Sequence, residues 1–191
     1  MAITPSTDIE LMQRVAGYDS KALEALYNRY SPILYTLIKK IVNDQKIAEE
    51  VLTDVFVIIW RKINFFDFST KNVYTWLISL ARNKAVDTLR RHRSDPVEEY
   101  TEEYENHFII PQLSHEIDSL DLKTALNIKD SVEKALNRLT DAQQYVIYLA
   151  YYEGLTEKEI AAKLNIPLAT VKSKIKIASS NLKENLIRGD A

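Results

Sequence analysis

Residues 156–174 read TEKEIAAKLNIPLATVKSK, and this stretch decides the fold. Thr156 followed three residues later by Glu159 fits a capping box, in which the hydroxyl takes an orphan amide and the carboxylate reaches back. The short helix it opens, Glu157–Leu164, carries Ile160, Ala161 and Leu164 as one apolar stripe, and the turn Asn165-Ile166-Pro167 follows. Pro167 suits the opening turn of the next helix, where its missing N–H costs nothing. That helix, expected over Ala169–Leu186, sets Val171, Ile175, Ala178, Leu182 and Leu186 on one side at steps of three and four. Thr170, Lys172, Ser173, Lys174, Lys176 and Ser180 face away from that stripe, with Ile177 also outside it. A short helix, a tight turn and a second helix with cations and hydroxyls on its N-terminal half is the helix-turn-helix geometry, because that end reaches base edges in the major groove. Lysines neutralise phosphates, and Ser and Thr serve base edges as donor or acceptor. The plain alternative is a three-helix bundle with a wet face.

Working outward, Thr140 and Gln143 form a second capping box, and Gly154 stands where a left-handed C-cap ends the helix between. Gly and Pro are scarce and apolar residues recur at three and four, so the period predicts helix nearly everywhere. Helices are expected over Asp8–Ala16, Ser20–Val42, Gln45–Lys62, Val73–His92, Leu122–Asn137 and Asp141–Glu153, besides the two above. The fold class is all-α: two small helical domains, residues 1–94 and 122–191, joined by an acidic linker, residues 95–121.

Charge is partitioned along the 191 residues, although the net value is only −2. Residues 95–121 hold nine acids and no Lys or Arg, with Pro96 and Pro111 breaking any helix. Without them, 25 basic residues stand against 18 acidic ones. The excess concentrates in Lys71–Ser94 and Lys163–Arg188, each at +5. One charged run reads as a solvated face; two, on amphipathic helices either side of an acidic tether, point to a polyanion held at two places.

Within the N-terminal block, Gln45–Lys62 begins amphipathic and becomes apolar all round at Val55–Trp60. Such a helix either runs through the middle of its domain or keeps one face for a partner protein, with Asp54 and Arg61 as polar rim. The loop after it, Asn64–Asn72, is aromatic and polar, and leads into a helix whose Val73, Leu77, Leu80, Ala81, Ala85 and Leu89 face inward. Arg82, Lys84, Arg90, Arg91 and Arg93 face mostly outward. Rings beside cations suit unpaired nucleic acid, since bases stack while cations follow the backbone. Phe65, Phe66, Phe68, Tyr74 and Trp76 are the candidates, and packing is the competing use of each. Asn83, Asp87 and Arg90 share a face, and Asp87 with Arg91 is also an ordinary i, i+4 ion pair.

Several chemistries fall away on counting. There is no cysteine, hence no disulfide, thiolate metal site or cysteine nucleophile. The three glycines are each isolated, which argues against phosphate-cradling loops, and His92, His107 and His115 lack the i, i+4 spacing of a zinc helix. Leaving Tyr aside, the longest apolar run is six residues where a span needs about 20, and the polar N-terminus shows no signal pattern. The expectation is a soluble, cytoplasmic protein that is not an enzyme, with no cofactor, metal, small-molecule substrate or membrane insertion.

Three stretches in this order, DVFVIIW at 54–60, YTWLISLARNKAVDTLRR at 74–91 and YEGLTEKEIAAKLNIPLATVKSK at 152–174, resemble the extracytoplasmic-function sigma factors of bacterial RNA polymerase. The likeness spans nearly the whole chain except the linker. It implies a two-domain initiation factor that binds the polymerase core and directs it to promoters. By the resemblance, Asp54, Val55, Phe56, Ile59 and Trp60 would dock the clamp of the largest core subunit. Phe66, Asp67, Phe68, Ser69, Lys71, Asn72, Trp76, Arg82, Asn83, Arg90 and Arg91 would read and open the minus-ten element. Thr170, Lys172, Ser173, Lys174, Lys176 and Ser180 would read the minus-thirty-five element as duplex, and an anti-sigma factor would be a further partner. Two departures stand out: lysines where the family often has arginines along the reading helix, which removes the bidentate fork to guanine, and a long, acidic linker. A helix-turn-helix regulator with a sensing or partner-binding N-terminal domain is the alternative function, and a protein-binding adaptor a third.

Overall fold

The computed structural model describes residues 6–68, 72–93, 99–111 and 129–187. The chain divides into two compact units, Met1–Asp121 and Leu122–Ala191. Among the described residues there is no strand.

Unit 1 is built from α1 (Asp8–Ala16), α2 (Ser20–Val42), α3 (Gln45–Lys62) and α4 (Val73–His92). Each start is fixed by a polar cap. Thr7 and Glu10 form a capping box on α1; Asp19, Asp44 and Asn72 accept backbone amides at the starts of α2, α3 and α4. Asn43 ends α2 in the left-handed region at φ 54°, a conformation Asn tolerates better than most side chains. Helix α2 packs against α1, α3 and α4, and Tyr30, Leu26, Leu34, Ile38, Trp76, Leu77 and Leu80 are fully buried between them. The Tyr30 hydroxyl donates to Asp8 at 2.7 Å, which joins α2 to the first turn of α1.

The linker departs from the sequence reading. Between the two prolines, a helical turn, α5 (Glu102–Tyr104), runs into a π-helical turn, Glu105–Ile109; both belong to unit 1, the π turn packed on α4 and Tyr104 bonded to Asp87. We call residues 99–111 the strap. Charge and prolines argued for a tether, either solubilising or competing with DNA for the basic faces; the overlooked signal is Tyr100, Tyr104 and Phe108 at steps of four, a one-sided aromatic row. Pro96, Glu98, Glu116, Asp118 and Asp121 lie outside the described residues.

Unit 2 comprises α6 (Lys129–Asn137), α7 (Asp141–Tyr151), α8 (Glu157–Leu164) and α9 (Leu168–Ile187). Both expected capping boxes are present, at Thr140–Gln143 and Thr156–Glu159. Gly154 takes φ 64°, as its place past the helix end predicted. Gln144 donates to the carbonyls of Leu136 and Leu139, both at 3.1 Å, and Asn185 donates to that of Ala135 at 3.2 Å, so α6 is tied to α7 and α9.

Candidate nucleic-acid and docking interfaces

Helix α3 resolves the ambiguity of its apolar run by using both solutions. Val55 and Ile59 are fully buried, four residues apart on the inward side, so neither offers surface to a partner, which corrects the sequence reading. Phe56 is buried beneath Tyr27, ring centroids 4.9 Å apart, and Trp60 is half-buried with Tyr18 edge-on at 5.6 Å. Val57 is 40% exposed. Together with Leu23, Thr53 and Arg61, the residues Tyr27, Phe56, Val57 and Trp60 line an open apolar groove of about 520 Å³ along α2 and α3. Val57 and the α2 side chains were not among the predicted contacts; an exposed Val in a buried run is visible only once the packing is known. Asp54 is exposed and paired with Lys84 at 3.2 Å.

The aromatic loop divides likewise. Phe66 and Trp76 are buried and meet edge-on at 5.4 Å, with Phe68 edge-on to Phe66 at 5.1 Å. Trp76 is core and Phe66 is likewise packed in, the use that competed with stacking for each ring. Asp67 and Phe68 are half-buried, Phe65 is exposed with Lys62 5.8 Å from its ring, and Asn72 caps α4 through Thr75 N–H at 3.0 Å. Ser69 and Lys71 lie outside the described residues.

The cationic face of α4 is occupied. Arg82, Asn83, Lys84 and Arg90 are half-buried, and the Asn83 amide donates to the Ile109 carbonyl at 3.2 Å. The Arg91 guanidinium lies 4.6 Å from the Tyr100 ring and 5.8 Å from that of Tyr104, while Lys84 is 5.1 Å from Tyr100. Asp87, only 3% exposed, accepts from Arg91 Nε at 3.0 Å and from the Tyr104 hydroxyl at 2.8 Å, so its buried charge is satisfied. Burial works against the Lys84 ammonium, yet Tyr100 and Asp54 beside it outweigh that and hold its pKa above the ordinary lysine value. Burial, and then the hydrogen bond to Asp87, push the Tyr104 phenol up to about 12.

In unit 2, Leu149, Ile160 and Val171 form a buried cluster, with Leu155, Leu164, Ile166 and Ile175 against it. The cluster locks α8 to α9 across a turn whose Asn165 sits at φ 52°. Ala178 is buried and Leu182 half-buried, so the predicted stripe holds; the Leu186 side chain is outside the described set. Lys172, Ser173, Lys176 and Ser180 are exposed, Thr170 and Lys174 half-buried, and Ile177 is 50% exposed among them. Lys172 makes a long ion pair with Glu157 at 3.8 Å, and Lys163 pairs with Glu153 at 2.7 Å across the motif. Among the described residues, Lys174 and Lys176 make no ion pair.

Residues 26–94 match the family model for sigma-70 region 2, and residues 129–180 match that for sigma-70 region 4. A curated relative from Mycobacterium sp. (strain JLS), the ECF RNA polymerase sigma factor SigK, is 31% identical over 95% of this chain and 92% of its own. The chain belongs to the extracytoplasmic-function sigma factors. SigK of Mycobacterium tuberculosis (strain ATCC 25177 / H37Ra) is 30% identical over 95% of both chains. Among solved structures, Rhodobacter sphaeroides SigE, in complex with the anti-sigma ChrR, is 27% identical over 95% of this chain and 99% of that one, with a TM-score of 0.47. As a sigma factor, the protein is a transcription initiation factor that acts with RNA polymerase and directs it to promoters, and sigma factors are non-catalytic regulators. The region 2 match takes in α2 from Leu26 on, α3 and α4, and the region 4 match takes in the helix-turn-helix as far as Ser180, while the strap falls outside both. No described helix is long and apolar enough to cross a membrane.

Proposed function

We propose that unit 1 docks the polymerase clamp through the α2–α3 groove, with Tyr27, Phe56, Val57 and Trp60 as the apolar floor and Asp54 and Arg61 as the rim. Helix α4 and the loop before it then read and open the minus-ten element, with Arg82, Asn83, Arg90 and Arg91 as the polar contacts. Helix α9 holds the minus-thirty-five element as duplex: Lys172, Lys174 and Lys176 meet phosphates, and Thr170, Ser173 and Ser180 meet base edges. The observation that carries this reading is a cationic helix in each of two separate units, each backed by its own apolar core.

Separating strands costs about 1.4 kcal/mol per base-pair step. Binding supplies it: α4 captures bases after transient opening, and core enzyme with the second DNA contact holds the strands. The chain does this in the cytoplasm without a cofactor and catalyses nothing itself. An anti-sigma protein restrains it by covering the α2–α3 groove; the Rhodobacter relative is seen with such a partner. Run-off transcription with purified core polymerase, with and without the chain, tests the reading. Chain-dependent transcripts from discrete starts, and co-elution with core, are expected. Tight promoter binding without core, and no change in transcripts with it, would instead identify a plain helix-turn-helix regulator.

A further inference from the structure

The strap bonds to the very groups that α4 would present to DNA. The Asn83 amide is given to the Ile109 carbonyl, the Arg91 guanidinium lies against the rings of Tyr100 and Tyr104, and Lys84 lies against Tyr100. Lys62 at the end of α3 pairs with Glu102, and Tyr104 closes on Asp87. Ile109 at 1% exposure and Ile110 at 3% anchor the far end, with Pro111 buried beside them. Outward, the strap shows Glu99, Glu102 and Glu103, so a phosphate approaching α4 meets carboxylates in front of the arginines. The acids alone would make a loose electrostatic cover; the half-buried Tyr104 and the two buried isoleucines give it a defined seat that salt does not screen, while Tyr100 and Phe108 stay exposed.

We propose that the strap is a built-in competitor of promoter DNA, an intramolecular cover over α4 that must leave its seat before the minus-ten element can be read. The inference rests on the reading of α4 as the minus-ten helix. Seated, the strap holds Asn83, Lys84 and Arg91 in contacts that exclude a nucleic-acid strand. Unseated, it frees the Asn83 amide and uncovers Lys84 and Arg91 together, leaving those two cations held by Asp54 and Asp87 alone. The affinity of the free chain for nucleic acid at α4 is then the intrinsic affinity scaled by the unseated fraction. Polymerase shifts that balance by holding DNA against α4, so promoter opening and strap release are the same event.

The test uses the full chain with Lys172, Lys174 and Lys176 changed to Glu, which silences α9. Fluorescence anisotropy with a mixed-sequence 20-nucleotide single strand at low salt then reports α4. Tyr100→Ser with Tyr104→Ser, and separately Glu102→Lys, are expected to tighten binding, the double change by about tenfold or more, and adding Arg91→Glu is expected to abolish the gain. Unchanged affinity in both variants, with the helical circular dichroism intact, overturns the proposal. A second arm needs no destabilising change. The chain has no cysteine, so Lys62→Cys with Glu102→Cys can be bridged by a reducible bismaleimide. The bridged holoenzyme is expected to leave promoter thymines unreactive to permanganate until the linker is cleaved, and opening by the bridged form would overturn the proposal. If Arg91→Glu leaves holoenzyme opening intact, the minus-ten reading fails and the inference falls with it. If opening needs Arg91 while strap changes and bridging do nothing, the inference fails alone.

Discussion

Helix α4 and helix α9 sit in blocks of equal charge excess, yet they meet solvent differently. On α4, Arg82, Lys84 and Arg90 are half-buried, and Lys84 and the exposed Arg91 are held by carboxylates, tyrosine rings and a strap that also takes the Asn83 amide. On α9 the exposed Lys172 and Lys176 flank a half-buried Lys174, and among the described residues the one ion pair of the three spans 3.8 Å. Charge count therefore measures what a helix can bind once it is uncovered, while packing decides whether it is uncovered. On the proposed reading, the open helix carries the DNA affinity of the free chain, and the covered one contributes when polymerase and promoter displace its cover.

The sharpest way to break the comparison is to collapse the core behind one face only. Trp76→Ala, which empties a fully buried site behind α4, is expected to cost unit 1 about 3–5 kcal/mol. Urea unfolding followed by circular dichroism should then split into two transitions, with that of unit 2 unmoved. Next in size, Lys174→Glu with Lys176→Glu should weaken duplex binding by the free chain at least about tenfold. It should also reduce the slope of log affinity against log salt by about 2. Arg91→Glu should change either quantity far less, and an equal loss would show α4 to be as open as α9.

Thr156→Ala removes one half of the capping box at the start of α8 and should lower the stability of unit 2 by about 1 kcal/mol, read as a shift of its urea midpoint alone. The smallest effect is on titration. The Tyr104 phenol is raised to about 12 in the seated strap, while an unseated one ionises near its ordinary value of about 10. Protonated phenol is the form that favours the seat, so this contribution is whole below about pH 10 and is lost as the pH rises toward 12. Difference absorbance at 295 nm between the wild-type chain and Tyr104→Phe should show one tyrosine of the eleven titrating late.

Much of this was legible in the residues. Thr140, Thr156, Gly154 and the Val171–Ala178 stripe fix the helix-turn-helix, because caps and apolar period are local signals. The docking face was half legible. The run Val55–Trp60 announces a helix buried all round, but which member escapes, Val57, depends on where α2 and α4 press against it. Trp76 and Phe66 stayed open for a related reason: an aromatic beside arginines satisfies the pattern of a stacking site and that of a core equally well. Competition by the acidic linker for the basic faces was legible from its charge, but its ordered seat was missed because the four-residue spacing of Tyr100, Tyr104 and Phe108 was not weighed.

The division of labour between the two helices is tested most directly by permanganate reactivity of promoter thymines with reconstituted holoenzyme. Arg90→Glu with Arg91→Glu on α4 should abolish reactivity at the start site while the upstream duplex contact survives in a footprint, whereas Lys172→Glu with Lys176→Glu on α9 should erase that upstream contact. Start-site thymines as reactive with the α4 variant as with the unaltered chain would contradict the account.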